Sequence, residues 1–589
     1  MLRTALSFPF LVLALIGGAC SGGGGGDTPM GDVSLVLTDA ATDELSVFEV
    51  DVQNIVFTKV DGNAVSVLPR RTRVDFLQLQ SLNELIAGVT LEAGAYRRIT
   101  IELDFADADV VIAGETDEAT VLDASGAPIT GVVPVTIDFP NGSRPAVRLG
   151  RNNLFVFDLQ LDQSVVVDQP GNAVTFTPVW TVELDPQNPK PIATNGVLHS
   201  VDLTARTFVV ERRAPDDTAI DRFTVATGGG TVFQLSGVAQ LGAPGLGALV
   251  AHIGQRLFVQ GVLRTQDRVL TAVAVESGDG VPGNGQDWVL GHVVARSGGA
   301  GADATLSVLG RSRDVSGGTR RYNTLHTVGV SQANTKVLRR GAGNALDTDA
   351  INVGQLVWVF GDLSTTTLDA TAPSGVARLL QTSIFGVAAG APSGGQLTLD
   401  LVRFDLRDVA AFDFDVGGSV QADPDAFTVD VGSLSAAGVT AGSKLRIDGW
   451  LAGIDAAGAD ADAVSIVNRS TTARILLCQW SPPTAGVLSD ANGDVAIDVS
   501  GALRRAVADG FGTVMLAATP TPTVAPLRSA GVYSIVEDGG IEANVSFDAF
   551  RNSLSTRAAT TPVFRIAAFG TFDESTQVFS ALTVTVVLR

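Results

Sequence analysis

Short apolar runs, rather than long helical repeats, dominate the pattern of hydrophobic and polar residues along the chain. The runs are alternating or wholly apolar, as at 33–37, 98–103 and 154–159, and Gly, Asp, Asn and Pro separate them. Many short strands with turn residues between them are typical of β-sandwiches and β-barrels. The pattern therefore predicts an all-β protein.

One segment, residues 81–88, has the pattern of a short helix. Ser81 and Glu84 have the spacing of a capping box, and Gly88 is a residue type that commonly ends a helix. The leucines and the isoleucine between them supply one apolar face. We therefore expect a helix here.

Beyond residue 190 two sequence landmarks repeat. A three-residue segment that begins with glycine, which we call the opener, starts at Gly196, Gly291, Gly386 and Gly486. The successive spacings are 95, 95 and 100 residues. A strand-like segment that begins and ends with glycine follows at 254–261, 354–361 and 442–449, with a weaker form at 564–570. Its first Gly suits a tight turn, and its last Gly lets the strand bend as barrel corners require. The repeats predict four small barrels.

Composition changes at two predicted linkers, the Pro-rich segment 185–191 and the Gly-rich segment 277–285. A chain of 589 residues exceeds the size of a single core, so several domains are expected. The predicted organisation is a signal peptide at 1–19, a lipidated Cys and Gly-rich tether at 20–30, a β-sandwich at 31–185, and barrel modules at 195–276, 288–383, 384–470 and 475–589.

The first twenty residues have the layout of a secretory signal. Arg3 is followed by an apolar run over 5–16, small residues at 17–19, and Cys20. A Cys directly after small residues resembles a bacterial lipobox, although Gly17 stands where Leu is usual. The resemblance implies a diacylglycerol on Cys20, with the glycines of 22–26 as a flexible spacer. The absence of an acidic residue directly after Cys20 favours the outer membrane. The alternative is an ordinary signal peptide whose Cys is incidental.

The charge balance restricts the partners. A net charge of −22, from 62 acidic and 40 basic residues, argues against nucleic-acid binding, which needs a basic footprint. It also argues against electrostatic docking on anionic lipid, so attachment would come from the acyl chains. Arg70, Arg71 and Arg73 form the densest basic spot and suit an anionic sugar or phosphate. Since Arg is the common base of this chain, a solvated loop is the default interpretation.

No catalytic residue, metal ligand or cofactor is predicted. The sequence contains no nucleophile elbow, P-loop or dinucleotide fingerprint, and its four histidines are isolated from one another and from Cys. A buried apolar role is preferred over a catalytic thiol for Cys478. Two oxygen-rich clusters suit either calcium or turns; they are Asp104, Asp107 and Asp109, and Asp490, Asn492 and Asp494. For the second, Asn492-Gly493 favours a hairpin turn. Cys20, as a lipidation site, is the one predicted site residue.

Two family resemblances are apparent. Residues 31–184 resemble domain of unknown function 4382, most specifically through Ala-Gly-Ala-Tyr at 93–96 and the strand at 98–103 that follows. Residues 195–470 are similar to domain of unknown function 5666, through the Gly opener and the Gly-bounded strand. The first resemblance implies a lipid-anchored or secreted β-sandwich, and the second an OB-type barrel. Neither implies a reaction or functional residues.

The expected fold is thus an N-terminal β-sandwich followed by about four small OB-like β-barrel modules. The expected function is that of a non-enzymatic envelope lipoprotein that binds or scaffolds. Its partners would be the membrane, through the N-terminal lipid, and a carbohydrate or another envelope protein. Two alternatives stay open. One is an envelope-anchored hydrolase, and the other is a passive spacer built from modules in a row.

Overall fold

The computed structural model describes residues 29–589 except 41, 43, 69, 80–82, 124, 185–191, 214–218, 265–268, 341, 343–345, 471–473, 530 and 538–539. The predicted signal peptide, Cys20 and the linker at 185–191 lie outside the described residues. The fold is all-β, as predicted. The helices of the described part are α1 (Leu161–Ser164), α2 (Gly242–Leu249) and α3 (Phe547–Ala558), with short 3-10 turns at Phe76–Leu79, Val250–His252, Thr348–Ala350, Val409–Ala411 and Pro424–Ala426. None of the helices described is long and apolar enough to cross a membrane.

The N-terminal part is a β-sandwich. Its strands are β1 (Met30–Ala40), β2 (Leu45–Lys59), β3 (Ala64–Ser66), β4 (Thr72–Asp75), β5 (Asn83–Glu92), β6 (Gly94–Ile112), β7 (Thr120–Leu122), β8 (Val132–Asp138), β9 (Ala146–Val147), β10 (Asn152–Gln160), β11 (Val165–Asp168), β12 (Ala173–Phe176) and β13 (Trp180–Leu184). One sheet has the order β13-β10-β1-β5 and the other contains β3-β2-β6-β8. Aromatic side chains fill the space between them; the ring centroids of Phe57 and Phe155 lie 5.0 Å apart. The predicted sandwich is confirmed.

The predicted helix at 81–88 is wrong over its described part. Residues 83–88 belong to β5, which pairs with β1 on one side and touches the first barrel on the other. Ile86 packs into the sandwich core, whereas its neighbour Leu85 packs into the core of that barrel. A strand buried on both faces carries consecutive apolar residues, so its pattern does not distinguish it from a helix.

Three barrels follow, and each has further short strands outside its five-stranded ring. The strands of barrel 1 are β14 (Ile192–Asp202), β15 (Thr207–Arg213), β16 (Ala219–Ala226), β17 (Val232–Leu235), β18 (Val238–Leu241), β19 (Arg256–Leu263) and β20 (Leu270–Ser277). Those of barrel 2 are β21 (Asp287–Ser297), β22 (Ala304–Arg313), β23 (Arg320–Val330), β24 (Lys336–Arg339), β25 (Leu356–Ser364), β26 (Thr367–Ala370) and β27 (Val376–Leu379). Those of barrel 3 are β28 (Thr382–Ala388), β29 (Gln396–Phe404), β30 (Arg407–Asp408), β31 (Asp415–Val416), β32 (Ser419–Val420), β33 (Phe427–Asp430), β34 (Lys444–Leu451) and β35 (Ala461–Asn468).

All three barrels close in the same order. In barrel 1 the ring runs β14-β15-β16-β20-β19 and returns to β14, with β16 and β20 parallel and the other pairs antiparallel. Barrel 2 repeats this ring with β21-β22-β23-β26-β25, and barrel 3 with β28-β29-β33-β35-β34. Small closed barrels of five strands are the architecture of OB-type folds.

The repeated glycines have a common structural cause. The first glycine of each Gly-bounded segment has positive φ, 87° at Gly254, 91° at Gly354 and 83° at Gly442. Each of the three donates its amide to a carbonyl two residues after the opener glycine, at 2.8 Å. The closing glycine leaves no room for a side chain, since a Cβ at Gly361 would lie 2.3 Å from the Asp369 carbonyl oxygen. The turn and bend predicted from the landmarks are confirmed.

A fourth unit follows the barrels. Its strands are β36 (Arg474–Thr484), β37 (Leu488–Ala491), β38 (Asp494–Ile497), β39 (Arg504–Ala508), β40 (Thr513–Met515), β41 (Thr523–Pro526), β42 (Val532–Glu537), β43 (Gly540–Asn544), β44 (Val563–Asp573) and β45 (Val578–Leu588). It keeps the neighbours β36-β44-β45-β41, with β41 and β45 parallel. Among the described strands, however, the pairing does not return from β38 to β36, so the ring stays open.

The strand register shows that Gly486 is not equivalent to the opener glycines of the three barrels. In each barrel the closing glycine lies opposite a residue of the first strand, and the opener glycine comes four residues later; Gly361, for example, lies opposite Asp287 and the opener is Gly291. In the fourth unit Gly570 lies opposite Arg474, so the equivalent residue is Cys478. Gly486 instead lies in the turn after β36, with φ of 75°. The spacing from Gly386 is therefore 478 − 386 = 92 residues rather than 100.

The units form a closed arrangement rather than a row. Barrel 1 joins the sandwich through parallel pairing of β14 with β5, and the fourth unit joins it through parallel pairing of β43 with β8. Between barrels 2 and 3, His292 Nε2 lies 2.7 Å from Asp405 Oδ2. The predicted linker at 277–285 is packed, because Val281 is buried and Lys336 reaches Asp279 at 2.9 Å.

Candidate functional site

The sandwich and the three barrels converge on one cavity of about 360 Å³, which we call the central chamber. The sandwich contributes Asp75 and the 3-10 turn that follows it, and the barrels contribute β19, β25 and β34, each the fourth strand of its ring in chain order. Clefts between domains are preferred positions for ligand sites, and this volume lies within the ~300–1,000 Å³ usual for small-molecule pockets. The chamber is therefore the best candidate site in the described part of the chain.

The chamber presents the same face of the repeated strand from all three barrels. Phe258, Trp358 and Arg446 each lie four residues after the first glycine of the Gly-bounded segment, and all three line the cavity. A fourth strand has one face in its barrel core and one outside, so equivalent outward positions from three barrels meet here. Trp450 adds a second indole, over which Arg339 lies at 5.7 Å.

Several buried polar atoms of the chamber wall have no hydrogen-bond partner in the protein. Among them are Trp358 Nε1, Gln260 Oε1, Arg378 Nη2 and, on the sandwich side, Asp75 Oδ1. Gln260 is 7% exposed and Arg378 is 6% exposed. A buried donor or acceptor without a partner costs about 1–3 kcal/mol. Unpartnered donors and acceptors beside aromatic faces therefore suit a ligand that both stacks and hydrogen-bonds.

Most charged groups of the wall have an ion-pair partner in the wall or directly behind it. Arg446 donates to Asp448 at 3.0 Å, and Arg378 forms an ion pair with Glu276. The remaining wall carboxylates also have partners, Arg311 for Asp75 and His292 for Asp405. The chamber is thus polar without a strong excess of either charge.

The pKa shifts reflect this burial and pairing. Burial alone would raise the pKa of Asp448, but Arg446 and the hydroxyls of Ser383 and Ser465 hold it below the ordinary value. For Asp75, burial prevails over the opposing effect of Arg311, and its pKa is raised. Asp448 is therefore ionised at neutral pH and fixes the Arg446 guanidinium in the wall.

Two further cavities adjoin the chamber. They have volumes of about 450 and 650 Å³, and both share Asp405 with it. The first extends between the sandwich and barrels 2 and 3, and the second extends to the fourth unit. Asp405 has φ of 47° and accepts the Ser383 amide at 3.2 Å, so its position is fixed by its own backbone turn.

Most of the candidate residues named from the sequence contact other residues of the folded chain. Arg73 is ion-paired with Glu49 at 2.7 Å and Asp109 at 3.0 Å, so it is not part of a solvated loop. Arg71 is more than half exposed, and Arg70 is also exposed. Asn492 and Gly493 both have positive φ between β37 and β38, which confirms the hairpin turn.

One acidic candidate and the thiol candidate likewise have structural roles. Asp109 is buried between Arg73 and Arg320 and joins the sandwich to barrel 2. Among the described residues no cluster of three His, Cys, Asp or Glu has the arrangement to hold a metal ion. Cys478 lies in the core of the fourth unit, where burial raises the pKa of its thiol to about 12. A buried apolar role is confirmed for it.

Sequence analysis missed the chamber residues, although a signal was present. In the Gly-bounded segments the glycines and inward positions predict the barrels, whereas the outward positions carry Phe258, Trp358 and Arg446. An aromatic residue at an outward position of a strand indicates a contact outside its own barrel. The convergence of three such positions depends on the arrangement of the barrels, which sequence alone does not give.

Comparison with known proteins covers only the N-terminal part. No curated protein matches the chain. Residues 30–178 match the family model described as Domain of unknown function (DUF4382). This match confirms the predicted resemblance to that family over residues 30–178, where a DUF4382 domain is found.

Proposed function

We propose that this protein is a non-enzymatic binding protein of the bacterial envelope whose ligand occupies the central chamber and is a carbohydrate. The observation that carries the proposal is the meeting of Phe258, Trp358 and Trp450 with unpartnered polar atoms in one cavity. A sugar ring has an apolar face and a rim of hydroxyls, so it can satisfy both kinds of wall group at once. A purely apolar ligand would leave Gln260 Oε1 without a donor.

The state of the wall carboxylates supports binding over hydrolysis. A glycosidase needs one carboxylic acid that donates a proton and one carboxylate that acts as base or nucleophile. Here Glu276, Asp405 and Asp448 each face a cationic or imidazole partner. Such pairing suits carboxylates that hold guanidinium groups in place.

The closed arrangement of the units supports binding over a passive spacer. A spacer gains reach only when its modules lie in line, whereas here the first and fourth units both pair with strands of the sandwich. Returning the chain to its start shortens the molecule.

The proposed place in the cell follows from the N-terminal sequence. Cys20 after a secretory layout supports lipid attachment at the bacterial membrane, in an outer membrane where one exists, with the glycines of 22–26 as tether. Closed five-stranded rings in 192–468 agree with the proposed similarity of this region to domain of unknown function 5666.

Ligand binding can be tested by isothermal titration calorimetry of the mature chain with neutral oligosaccharides, starting with oligomers of galactose and glucose. We expect Trp358→Ala to weaken binding by about tenfold or more, because it removes both the stacking face and the Nε1 donor. Trp358→Phe keeps the stacking face and should lose less. Leu203→Ala, at an exposed residue of barrel 1 away from the chamber, is the control. Absence of saccharide binding, or binding unchanged by Trp358→Ala and Trp450→Ala, would contradict the proposal.

The anchor can be tested separately by expressing the full chain and Cys20→Ala in a Gram-negative host. We expect wild-type protein in the membrane fraction, with acyl groups added to an N-terminal Cys20 in the intact mass. Cys20→Ala should be recovered without lipid in the soluble fraction. Wild-type protein that is soluble and unmodified would refute the lipoprotein assignment while leaving the chamber unaffected.

A further inference from the structure

An arginine-lined cleft lies beside the central chamber, between the sandwich, barrel 1 and barrel 2. Its volume is about 560 Å³. Six arginines line it, and its wall contains no Asp or Glu, in a chain with 62 acidic residues. The six are Arg71, Arg73, Arg212, Arg213, Arg256 and Arg313. We call this cavity the arginine cleft.

Carboxylates hold several of these arginines from behind. Arg212 donates to Asp221 at 2.7 and 2.8 Å, and its third nitrogen donates to the Leu85 carbonyl at 2.9 Å. Arg73 is fixed by Glu49 and Asp109. Because none of these carboxylates lines the cleft, the guanidinium groups are oriented without an acidic side chain at the cleft surface.

Arg313 is different from the others. It is the last residue of β22, and no ion pair joins it to another described residue. Its Nε is buried without a hydrogen-bond partner. A guanidinium presents a planar fork of donors that matches a carboxylate or a phosphate. Arg313 therefore offers an uncompensated fork inside a cleft whose wall contains no acid.

The cleft and the central chamber are adjacent along one wall. Thr194 and Asn195 of β14 line both cavities. Trp288 lines the cleft and Trp358 lines the chamber, and their ring centroids lie 5.7 Å apart. One elongated ligand can therefore contact both cavities.

We propose that the arginine cleft is an anion subsite, which takes the carboxylate or phosphate of an acidic saccharide whose rings lie in the central chamber. This inference rests on the proposed function for the second half of that statement, because the chamber supplies the saccharide rings. The fork of Arg313 binds the acidic group, and Arg71, more than half exposed, attracts it at the mouth.

The test is isothermal titration of the mature chain with three probes: a trimer of galacturonic acid, the matched neutral trimer of galactose, and inorganic pyrophosphate. We expect the acidic trimer to bind about tenfold or more tightly than the neutral trimer. Arg313→Gln should remove that advantage and leave the neutral trimer unchanged. Arg313→Lys, which keeps the charge but loses the fork, should recover only part of it.

Arg98→Gln is the matched control, since it removes one positive charge from an exposed ion pair with Asp138 elsewhere on the sandwich. Thermal unfolding of each variant checks that the fold is retained. Equal affinity of the two trimers, with the neutral trimer bound through Trp358, would overturn the anion subsite and leave the proposed function standing. Pyrophosphate binding that depends on Arg313, without binding of either trimer, would support the subsite and refute the proposed saccharide ligand. Binding of none of the probes, or acidic binding insensitive to Arg313→Gln, would overturn the inference.

Discussion

The three closed barrels and the open fourth unit share several strand neighbours, but only the barrels close into a ring. In the barrels, the first strand pairs with the second and fourth and the ring closes on its own core. In the fourth unit, β36 pairs with β39 and β44, and the sheet continues through β42 and β43 into β8 of the sandwich. The outer edge of β43, which would otherwise be free to recruit a foreign strand, is thereby covered by β8 of the protein's own sandwich.

This difference shows how a repeat can end. A terminal repeat has one neighbour too few, and its exposed face must be changed or covered. Here Phe564 and Val587 of the fourth unit belong to the sandwich core rather than to the core of their own unit. Departure from the repeat pattern therefore marks a unit that joins the two ends of the folded chain.

The largest effect is expected from the closing glycines. Gly361→Val places a side chain where even a Cβ would lie 2.3 Å from a backbone oxygen, and the closed ring of barrel 2 cannot shift to admit it. We expect a loss of about 3 kcal/mol or more in the free energy of unfolding, measured in urea. Gly570→Val meets a similar contact, 2.0 Å from the Ser580 oxygen, but the open sheet can splay, so the loss should be smaller.

The control for both variants is Gly247→Ala in α2, where a Cβ meets nothing within 4 Å. Alanine should be neutral or stabilising there by up to about 1 kcal/mol. If Gly570→Val is as costly as Gly361→Val, then an open ring does not relax and the comparison fails on this point.

A second effect should separate the fourth unit from the sandwich. Phe564 is buried in the sandwich core, and Arg589 lies 3.8 Å above its ring. We expect Phe564→Ala to cost about 3–5 kcal/mol and to speed amide hydrogen exchange in β8, whose partner is β43. Phe572→Ala, on the same strand but packed against the core of the fourth unit, should leave β8 protected. Equal exchange in β8 for both variants would show that the junction does not depend on Phe564.

Sequence reasoning succeeded where a residue's role is local. The glycines at 254, 354 and 442 require positive φ, and Asn492-Gly493 requires a hairpin turn, whatever the rest of the chain does. It failed where a role depends on what lies on the other side of an element. The apolar run at 85–87 faces two different cores, and Gly486 imitates an opener whose true equivalent is Cys478.

The candidate site was beyond sequence reasoning for the same cause. Phe258, Trp358 and Arg446 occupy one repeated position, but only the arrangement of three barrels brings them to one cavity. Arg71 and Arg73 were identified as a basic spot, yet Arg212, Arg256 and Arg313 join them from other units through tertiary structure.

A dependence of stability on pH is expected at the junction of the sandwich with the fourth unit, where Asp162 faces Arg565. Burial, reinforced by Asp158, raises the pKa of Asp162 to about 7 from an ordinary value of 3.8. The folded state therefore holds this proton more tightly than the unfolded state, so the free energy of unfolding should fall by a few kcal/mol between about pH 4 and pH 7. Asp162→Asn should flatten that dependence, as followed by urea unfolding at several pH values. Asp117→Asn, at an exposed sandwich residue, is the control and should keep the wild-type slope; an unchanged slope in Asp162→Asn would contradict the prediction.

The smallest effect compares two similar junctions. Lys336 reaches Asp279 between barrels 1 and 2, and Lys444 reaches Asp509 between barrel 3 and the fourth unit, both at 2.9 Å. The Asp279 side chain is 42% exposed, whereas that of Asp509 is 5% exposed. Lys336→Met should therefore cost less than about 1 kcal/mol, while Lys444→Met leaves a buried carboxylate without its cation and should cost about 1–3 kcal/mol.

The pH dependence of this last pair is opposite to that of Asp162. Burial alone would raise the pKa of Asp509, but Lys444 and the Phe511 amide hold it below the ordinary value of 3.8. The contribution of Lys444 is therefore present above that value and is lost as the pH falls through the lowered pKa. Urea unfolding of wild type and Lys444→Met should differ at pH 7 and converge in strong acid, whereas wild type and Lys336→Met should differ little throughout. A Lys336→Met loss as large as that of Lys444→Met would mean that burial of the carboxylate does not set the strength of these junctions, and that the open fourth unit is held no differently from the closed barrels.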